Sequence, residues 1–372
     1  MISSYASGTK YSSNIDFEKY YKIFQTEGIK HYLLKGPTIS LGFSLKRILS
    51  WVQYEWYVFK LGNDIGKKQK PDAIIVSSLS LLTIINGIYF KWKFGCKFIL
   101  EIRDIWPLTL IEIGGFSKYN PIILFLGFIE QLGYKYADNI IGLMPNLMLH
   151  IPQKYKNKVH NIPQGIELNL YRKSDFSDIT LGIIGKINQS NFNIVYTGSI
   201  GQVNDVEKMI EILIECYEIN QRILFHIVGD GTQKKNLMEK YKNNKNIIFH
   251  NAIPKSEVPY LLSHFEANII HVSPHNIYRY GISPNKLNEY LLSSNPTILI
   301  YDGYKSTIEE ADGGFVISSL NFENIVTTIL NISNMNVTTL KQKGKNGREY
   351  ALKNLDYSIL SEKYLKIIFP SL

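Results

Sequence analysis

Asn193-Ile194-Val195-Tyr196-Thr197-Gly198-Ser199-Ile200-Gly201 decides the fold. Residues 193–196 have the length and apolar density of a buried strand, and they run into two glycines three positions apart. A helical period of apolar residues opens near Val203. Glycines let a backbone approach an anion closely, and amide groups at a helix start can hold a phosphate. The same residues also suit a plain tight turn.

Working outward, short apolar runs recur at 223–228, 247–250, 267–271 and 297–300, separated by helical stretches at 203–218, 233–241, 255–263 and 284–293. Upstream the alternation continues with runs at 29–34, 73–76, 98–102, 139–143 and 159–162 and helical stretches at 44–61 and 121–136. Strand–helix alternation predicts parallel sheets with helices on both faces. A chain of 372 residues is long for one such domain and comfortable for two. The segment 163–189 is rich in Gly, Asn, Ser and Asp with little period and reads as the linker. The expected domains are therefore 1–170 and 171–355, with the tail 356–372 crossing back onto the first.

Two cysteines, Cys96 and Cys216, make no disulfide framework and no metal-ligand spacing, which favours a reducing cytoplasm and no bound metal. The N-terminus lacks the layout of a secretory signal. The apolar run 73–90 contains Ser77, Ser78, Ser80, Thr83 and Asn86, so a strand turning into a buried helix explains it better than a membrane span. Charge is uneven: residues 1–173 hold 22 Lys and Arg against 12 Asp and Glu, whereas residues 174–372 hold 19 against 20. A basic first half suits nucleic acid, an anionic membrane or a phosphorylated substrate, or is simply a solvated basic face. The modest excess and the lack of a nucleic-acid motif argue against nucleic acid.

Three stretches could carry chemistry. Besides Gly198, Ser199 and Gly201, a second glycine turn stands at Gly229-Asp230-Gly231, where Asp230 either caps the next helix or lines a ligand cleft at the strand ends. The richest stretch is Arg279-Tyr280-Gly281-Ile282-Ser283-Pro284-Asn285-Lys286-Leu287-Asn288-Glu289-Tyr290. Ser283 suits an N-cap with Pro284 at the first helical position, and Lys286 and Glu289 share a helix face. Arg279, Lys286 and a helix N-terminus with Asn285 would suit a diphosphate, and Glu289 could accept from sugar hydroxyls. The bland alternative is a surface helix with an ion pair.

Residues 193–201, the 228–231 turn and 280–290 together resemble the donor-binding domain of retaining glycosyltransferase family 4. The Arg279–Lys286 run resembles the subgroup of bacterial N-acetyl-L-fucosamine transferases of O-antigen and capsule synthesis. The likeness extends through Glu101-Ile102-Arg103-Asp104-Ile105-Trp106-Pro107 and Ile162-Pro163-Gln164-Gly165-Ile166, and so covers most of the chain. It implies an α/β GT-B fold, two Rossmann-like domains whose parallel sheets face a cleft, with acceptor in the first domain and nucleotide-sugar in the second. It further implies transfer with retention, from a donor habitually linked to uridine diphosphate, without a metal ion or other cofactor. On that basis Glu289 matches the second Glu of the family's Glu-x7-Glu motif and binds the donor ribose, Lys286 and Arg279 neutralise the leaving diphosphate, and Asp104 beside Arg103 orients or deprotonates the acceptor hydroxyl. An Arg103–Asp104 structural pair is the alternative.

Three departures accompany the likeness. The motif's first Glu falls on Gly281; the family's usual Arg and Lys after the first glycine turn fall on Ser199 and Asn204; and Met1-Ile2-Ser3-Ser4 corresponds to a later strand than the family's opening strand–loop–helix. The stretch 46–60 mixes aromatics with flanking bases on a helix, which suits either an anionic bilayer or ordinary packing on its own sheet. The expected enzyme is thus cytoplasmic or peripheral on the inner face of the plasma membrane, with a lipid-diphosphate-linked or saccharide acceptor. A nucleotide-sugar epimerase of similar fold and a non-catalytic nucleotide-sugar binder are the rival readings.

Overall fold

The computed structural model describes residues 1–7, 19–26, 28–38, 45–78, 80–171, 175–201 and 204–371. Two compact units divide the chain: Met1–Gly142 with Ile151–His160, and Leu143–His150 with Asn161–Leu372.

The first unit holds strands β1 (Ile2–Ser7), β2 (Tyr21–Thr26), β3 (Ile29–Thr38), β4 (Ala73–Ser77), β5 (Lys97–Ile102), β6 (Asn139–Gly142) and β7 (Val159–Asn161), whose last residue belongs to the second unit. Its helices are α1 (Leu45–Lys68), α2 (Thr83–Phe94), α3 (Leu108–Glu112) and α4 (Pro121–Tyr136). The order β4-β5-β6-β7 forms one sheet, with β4, β5 and β6 parallel. A second, three-stranded sheet has the order β1-β3-β2. In it β1 runs parallel to β3, and β2 runs antiparallel in a hairpin that turns at Gly28 with φ +81°. This hairpin lies outside the strand–helix alternation read from the sequence, because β2 leaves most of its side chains exposed and so lacks the apolar run of a buried strand.

The expected run 73–90 resolves into β4 and α2, and among the described residues no helix is long and apolar enough to cross a membrane. The expected helix at 44–61 corresponds to α1, with Ser44 outside the described residues. α1 is fastened by a buried carboxylate: Glu55 accepts from Ser80 Oγ and Thr83 Oγ1 at 2.6 Å and from Asn86 Nδ2 at 2.9 Å. Burial pushes that carboxyl above its ordinary range, and the three hydrogen bonds oppose the shift.

The second unit is a doubly wound sheet of order β10-β9-β8-β11-β12-β13. Its strands are β8 (Phe192–Ser199), β9 (Ile223–Asp230), β10 (Ile247–His250), β11 (Ala267–His271), β12 (Thr297–Ile300) and β13 (Gly314–Ile317), paired in parallel throughout. The helices are α5 (Asp178–Ile184), α6 (Val206–Ile219), α7 (Lys234–Lys240), α8 (Val258–Leu262), α9 (Asn285–Leu292), α10 (Thr307–Glu310), α11 (Phe322–Ser333), α12 (Val337–Asn354) and α13 (Tyr357–Ile368). Alternate residues of β8 enter opposite cores. Ile194 and Tyr196 pack with α6 and α11, while Val195 packs with α8, α9 and α10. A strand buried on both faces reads as a continuous apolar run, which is why 193–196 was legible.

The segment 163–189 is no bare linker: it contains α5, capped by Ser177 Oγ on Thr180 N, and Ile183 and Ile187 enter the second unit's core. The buried Glu257 holds α5 by accepting from Ser177 and Thr180, pairings that no local period reveals. The tail 356–372 groups with the second unit, where Ile166 N donates to Leu355 O at 2.8 Å and Tyr357 N donates to Ile166 O at 3.2 Å. The helix expected to open near Val203, which lies outside the described residues, starts at Val206.

Candidate active site

The carboxyl ends of β8 and β9 lie side by side, with Gly198 opposite Gly229 and Ser199 opposite Asp230. The glycines are there for space. A β-carbon on Gly229 would sit 1.9 Å from Gly198 O, and one on Gly231 would sit 2.2 Å from Ile200 O. A β-carbon on Gly198 would sit 2.4 Å from Lys286 Cε. Gly201 makes no such demand, its nearest neighbour being Ser199 Oγ at 3.7 Å. Ile200 N donates to Asp230 O and Gln233 N to Ile200 O, so the two turns are knitted together. Lys234 braces them from α7 through Gly229 O at 2.8 Å and His250 O at 2.6 Å.

Asp230 does not cap α7. Its carboxylate accepts from Gly231 N at 2.8 Å, inside its own turn. Nor is the start of α6 an open anion site, since α6 opens on Asp205, whose carboxylate takes Ser273 Oγ at 2.7 Å and lies 3.0 Å from His271 Nδ1. Those contacts hold Asp205 below the usual carboxylate range, so a negative charge stands where a phosphate was expected.

The positive group comes from α9 instead. Leu287, Tyr290 and Leu291 bury one face of α9 in the core, which turns Lys286 toward the first glycine turn. Lys286 Nζ donates to Tyr196 OH and, at 2.8 Å, to Asn204 Oδ1, and it lies 4.3 Å from the centre of the Tyr196 ring. Burial lowers its pKa to about 8, against the opposing pull of Glu289. Glu289, 7% exposed, accepts from Tyr171 OH at 3.1 Å and lies 3.6 Å from Lys255 Nζ. Burial raises the Glu289 carboxyl, while Lys255, Tyr171 and Lys286 favour its charged form. Tyr290, one position on, fixes the strand end by accepting from Thr197 N at 3.0 Å.

The start of α9 differs from expectation. Pro284 occupies the N-cap position, with Asn285 the first helical residue and exposed. The Ser283 hydroxyl turns away and accepts from Gln164 N at 2.9 Å, and Asn288 Nδ2 donates to Gln164 O at 2.6 Å. Proline has no N–H to leave unsatisfied there, which frees Ser283 to hold the 162–166 segment against α9.

Arg279 is not brought to Lys286. Its guanidinium lies over the Tyr280 ring at 4.4 Å and donates to Asn276 O at 2.5 Å. It lines a separate cavity of about 560 Å³ with His275, Asp302 and Tyr304. The buried Tyr280 packs edge-on against His150, and its carbonyl accepts from Asn146 N at 3.0 Å. Gly281 explains the missing carboxylate. Its φ is +91°, and a β-carbon there would lie 2.5 Å from Pro145 Cδ and Cγ. The backbone that meets the 143–150 segment leaves no room for a side chain at 281.

In the first unit Arg103 and Asp104 follow the carboxyl end of β5. Ser78 Oγ accepts from Arg103 N at 3.1 Å and donates to Asp104 O at 3.3 Å. Arg103 Nη1 lies 3.9 Å from Glu101 Oε2. Asp104 is exposed; partial desolvation raises its carboxyl and Arg103 opposes this. Among the described residues no cluster of three or more His, Cys, Asp and Glu side chains is arranged to hold a metal ion.

The sequence reading missed Tyr171, Lys255 and Tyr196 as members of this site. Tyr171 stood in the apparent linker, and Tyr196 passed for an ordinary strand residue.

Residues 183–350 match the family described as glycosyl transferases group 1. No curated protein sequence matches the chain. Among solved structures, Anabaena HepE in complex with UDP and glucose is similar at 13% identity and a TM-score of 0.63, over 93% of this chain and 87% of that one. Sucrose-phosphate synthase from Thermosynechococcus elongatus is similar at 12% and 0.68, over 93% and 84%. WaaG, a glycosyltransferase involved in lipopolysaccharide biosynthesis, is similar at 14% and 0.60, over 91% and 87%. The chain therefore has two Rossmann-like units of the GT-B fold, and the match to glycosyl transferases group 1 covers Gly198, Gly229, Lys286 and Glu289.

Proposed function

We propose that the chain transfers a hexosyl or N-acetylhexosaminyl group from a UDP-linked sugar to a saccharide or lipid-diphosphate-linked acceptor, with retention, in the synthesis of a bacterial surface polysaccharide. The observation that carries the proposal is the half-buried Lys286 ammonium. It sits against Gly198, where no side chain stands between it and the turn, with Glu289 one helical turn further along α9. The complex of HepE with UDP and glucose and the involvement of WaaG in lipopolysaccharide biosynthesis support the donor and the pathway class.

In this reading the diphosphate lies at the Gly198 turn and its growing charge is met by Lys286 as the bond to the anomeric carbon breaks. Glu289, oriented by Tyr171, accepts from the ribose hydroxyls. Asp104 orients the acceptor hydroxyl and takes its proton as that oxygen bonds to the anomeric carbon and UDP leaves. Arg279 serves the donor only indirectly, by fixing the 276–281 loop ahead of α9. The enzyme works in the cytoplasm at the inner face of the plasma membrane, and the reaction needs no metal or cofactor.

A thermal-shift titration with UDP and UDP-sugars tests this. Ligand at a hundredfold over its dissociation constant adds about 2.7 kcal/mol to the folded state. A shift with UDP that disappears in Glu289→Ala supports the donor site. No shift with any nucleotide, from a protein that melts cooperatively, overturns it.

A further inference from the structure

We infer that the first unit docks on an anionic membrane through an apolar collar at the carboxyl rim of its β4-β5-β6 sheet; this deepens the lipid-linked-acceptor reading and rests on it. The collar is formed by the N-terminal halves of α1, α2 and α4. α2 and α4 join parallel strands of this sheet and run back against them, so both begin at the strands' carboxyl ends. Two contacts place the helices there. Glu55 of α1 meets Ser80, just past the end of β4, and Gly127 of α4 faces Pro107, three residues past Asp104.

An ordinary surface helix is polar on its outer face. In α4 the outward positions Leu124, Phe125 and Phe128 are 59, 51 and 60% exposed, and among the described side chains of α1 Leu49, Val52 and Trp56 are 67, 53 and 61% exposed. Ile85 of α2, which packs against both α1 and α4, is exposed as well. The side chains of Lys46 and Arg47, the first bases of the aromatic stretch, lie outside the described residues.

Charge selects the occupant. Exposed Lys60, Lys93 and Lys135 stand on α1, α2 and α4 behind the collar. At a helical rise of 1.5 Å they lie about 6–12 Å from Trp56, Ile85 and Phe128, the depth between acyl boundary and phosphate for an interfacial helix. The acids of these helices are mostly withdrawn: Glu55 and Glu130 are buried, and Asp64 alone is exposed. Two copies meeting face to face would oppose like lysines, whereas an anionic bilayer neutralises them. The collar also surrounds the rim that carries Asp104, so a lipid-borne hydroxyl would arrive without leaving the interface.

Flotation of the full chain with phosphatidylcholine vesicles, with and without phosphatidylglycerol, tests the inference. Binding to phosphatidylglycerol vesicles is expected, with a blue shift of tryptophan emission from Trp56. Phe125→Ser with Phe128→Ser, and separately Lys60→Glu with Lys135→Glu, should each weaken partitioning at least tenfold while leaving the UDP melting shift intact. No binding by the wild type, or equal binding by the apolar double variant, overturns the inference. A wild-type dimer that the apolar variant converts to monomer without a change in vesicle binding assigns the face to a second copy and also overturns it. Loss of the UDP shift in the wild type would instead sink the donor reading alone.

Discussion

If Lys286 meets the donor diphosphate as proposed, the affinity of a UDP-sugar should weaken as pH rises through about 8, where this cation loses its proton. Burial is the main cause of the low pKa of Lys286, and Glu289 opposes it. With a titration midpoint of about 8, the charged fraction falls from roughly 0.97 at pH 6.5 to roughly 0.24 at pH 8.5. The dissociation constant should therefore rise about fourfold, with the slope of its logarithm still steepening toward one. This range stays below that in which the uracil ring titrates, and the diphosphate of a nucleotide-sugar holds no proton to lose there. Isothermal calorimetry across it gives the curve. Glu289→Gln removes the negative charge that supports the ammonium, so the bend should move to lower pH on top of any overall weakening. A lysine that titrates near 10.4 when unfolded and near 8 when folded binds fewer protons in the folded state. The unliganded fold is thus least favoured by this group below pH 8 and regains roughly 3 kcal/mol as pH climbs past 10. An affinity flat from pH 6.5 to 8.5, or a bend that moves upward in Glu289→Gln, would refute the assignment of Lys286 to the diphosphate.

Acid should unfold the second unit through its histidine pair. His226 Nδ1 lies 3.0 Å from His250 Nε2, and burial lowers the two groups to about 3 and about 4. Their contribution is complete above pH 6.5 and is lost as pH falls toward 4, so about 2 kcal/mol should go by pH 5 for one protonation; a melting temperature level from pH 7 to 5 contradicts this. Gly281→Glu, which restores the family's carboxylate, should cost about 2–3 kcal/mol through the contact with Pro145 and the positive φ. Urea midpoints equal to wild type would show that the loop yields. Gly229→Ala should destabilise by more than about 2 kcal/mol because its β-carbon meets Gly198 O, whereas Gly182→Ala in α5, with nothing within 4 Å, should gain up to about 1 kcal/mol. Matched denaturation curves for the pair decide that contrast.

How much of this was legible depends on where the chemistry was local. β10, β11 and β12 begin and end where the apolar runs do, since strands buried on both faces need little from their neighbours. The glycine turns and the Lys286–Glu289 spacing were visible for the same reason: each is set by a few consecutive residues. β13 was missed because Gly314-Phe315-Val316-Ile317 offers only three apolar residues after a glycine pair. α12 offers no apolar period because it buries only Leu340, Gly344, Gly347 and Ala351, and two of those are glycines. A β-carbon at Gly344 would lie 1.8 Å from Ser294 O, a demand for close approach that no period records. The partners of Glu289 and Lys286 were invisible for a further reason. Tyr171 stands 118 residues from Glu289 and Tyr196 stands 90 from Lys286, so only the folded sheet brings them together.

The brace that Asn146 and Pro145 give to residues 279–281 has a consequence for how this molecule can be taken apart. Residues 143–150 belong to the second unit, yet the chain returns to the first for residues 151–160 before entering the second for good. The second unit is consequently not a single stretch of gene. A version cut to begin at Asn161 would keep every strand of the doubly wound sheet and both glycine turns. It would lose the hydrogen bonds to the Arg279 and Tyr280 carbonyls and the wall that dictates glycine at 281. Evolution by swapping contiguous segments would meet the same obstacle, because a new first unit must bring with it the eight residues that shape the loop ahead of Lys286.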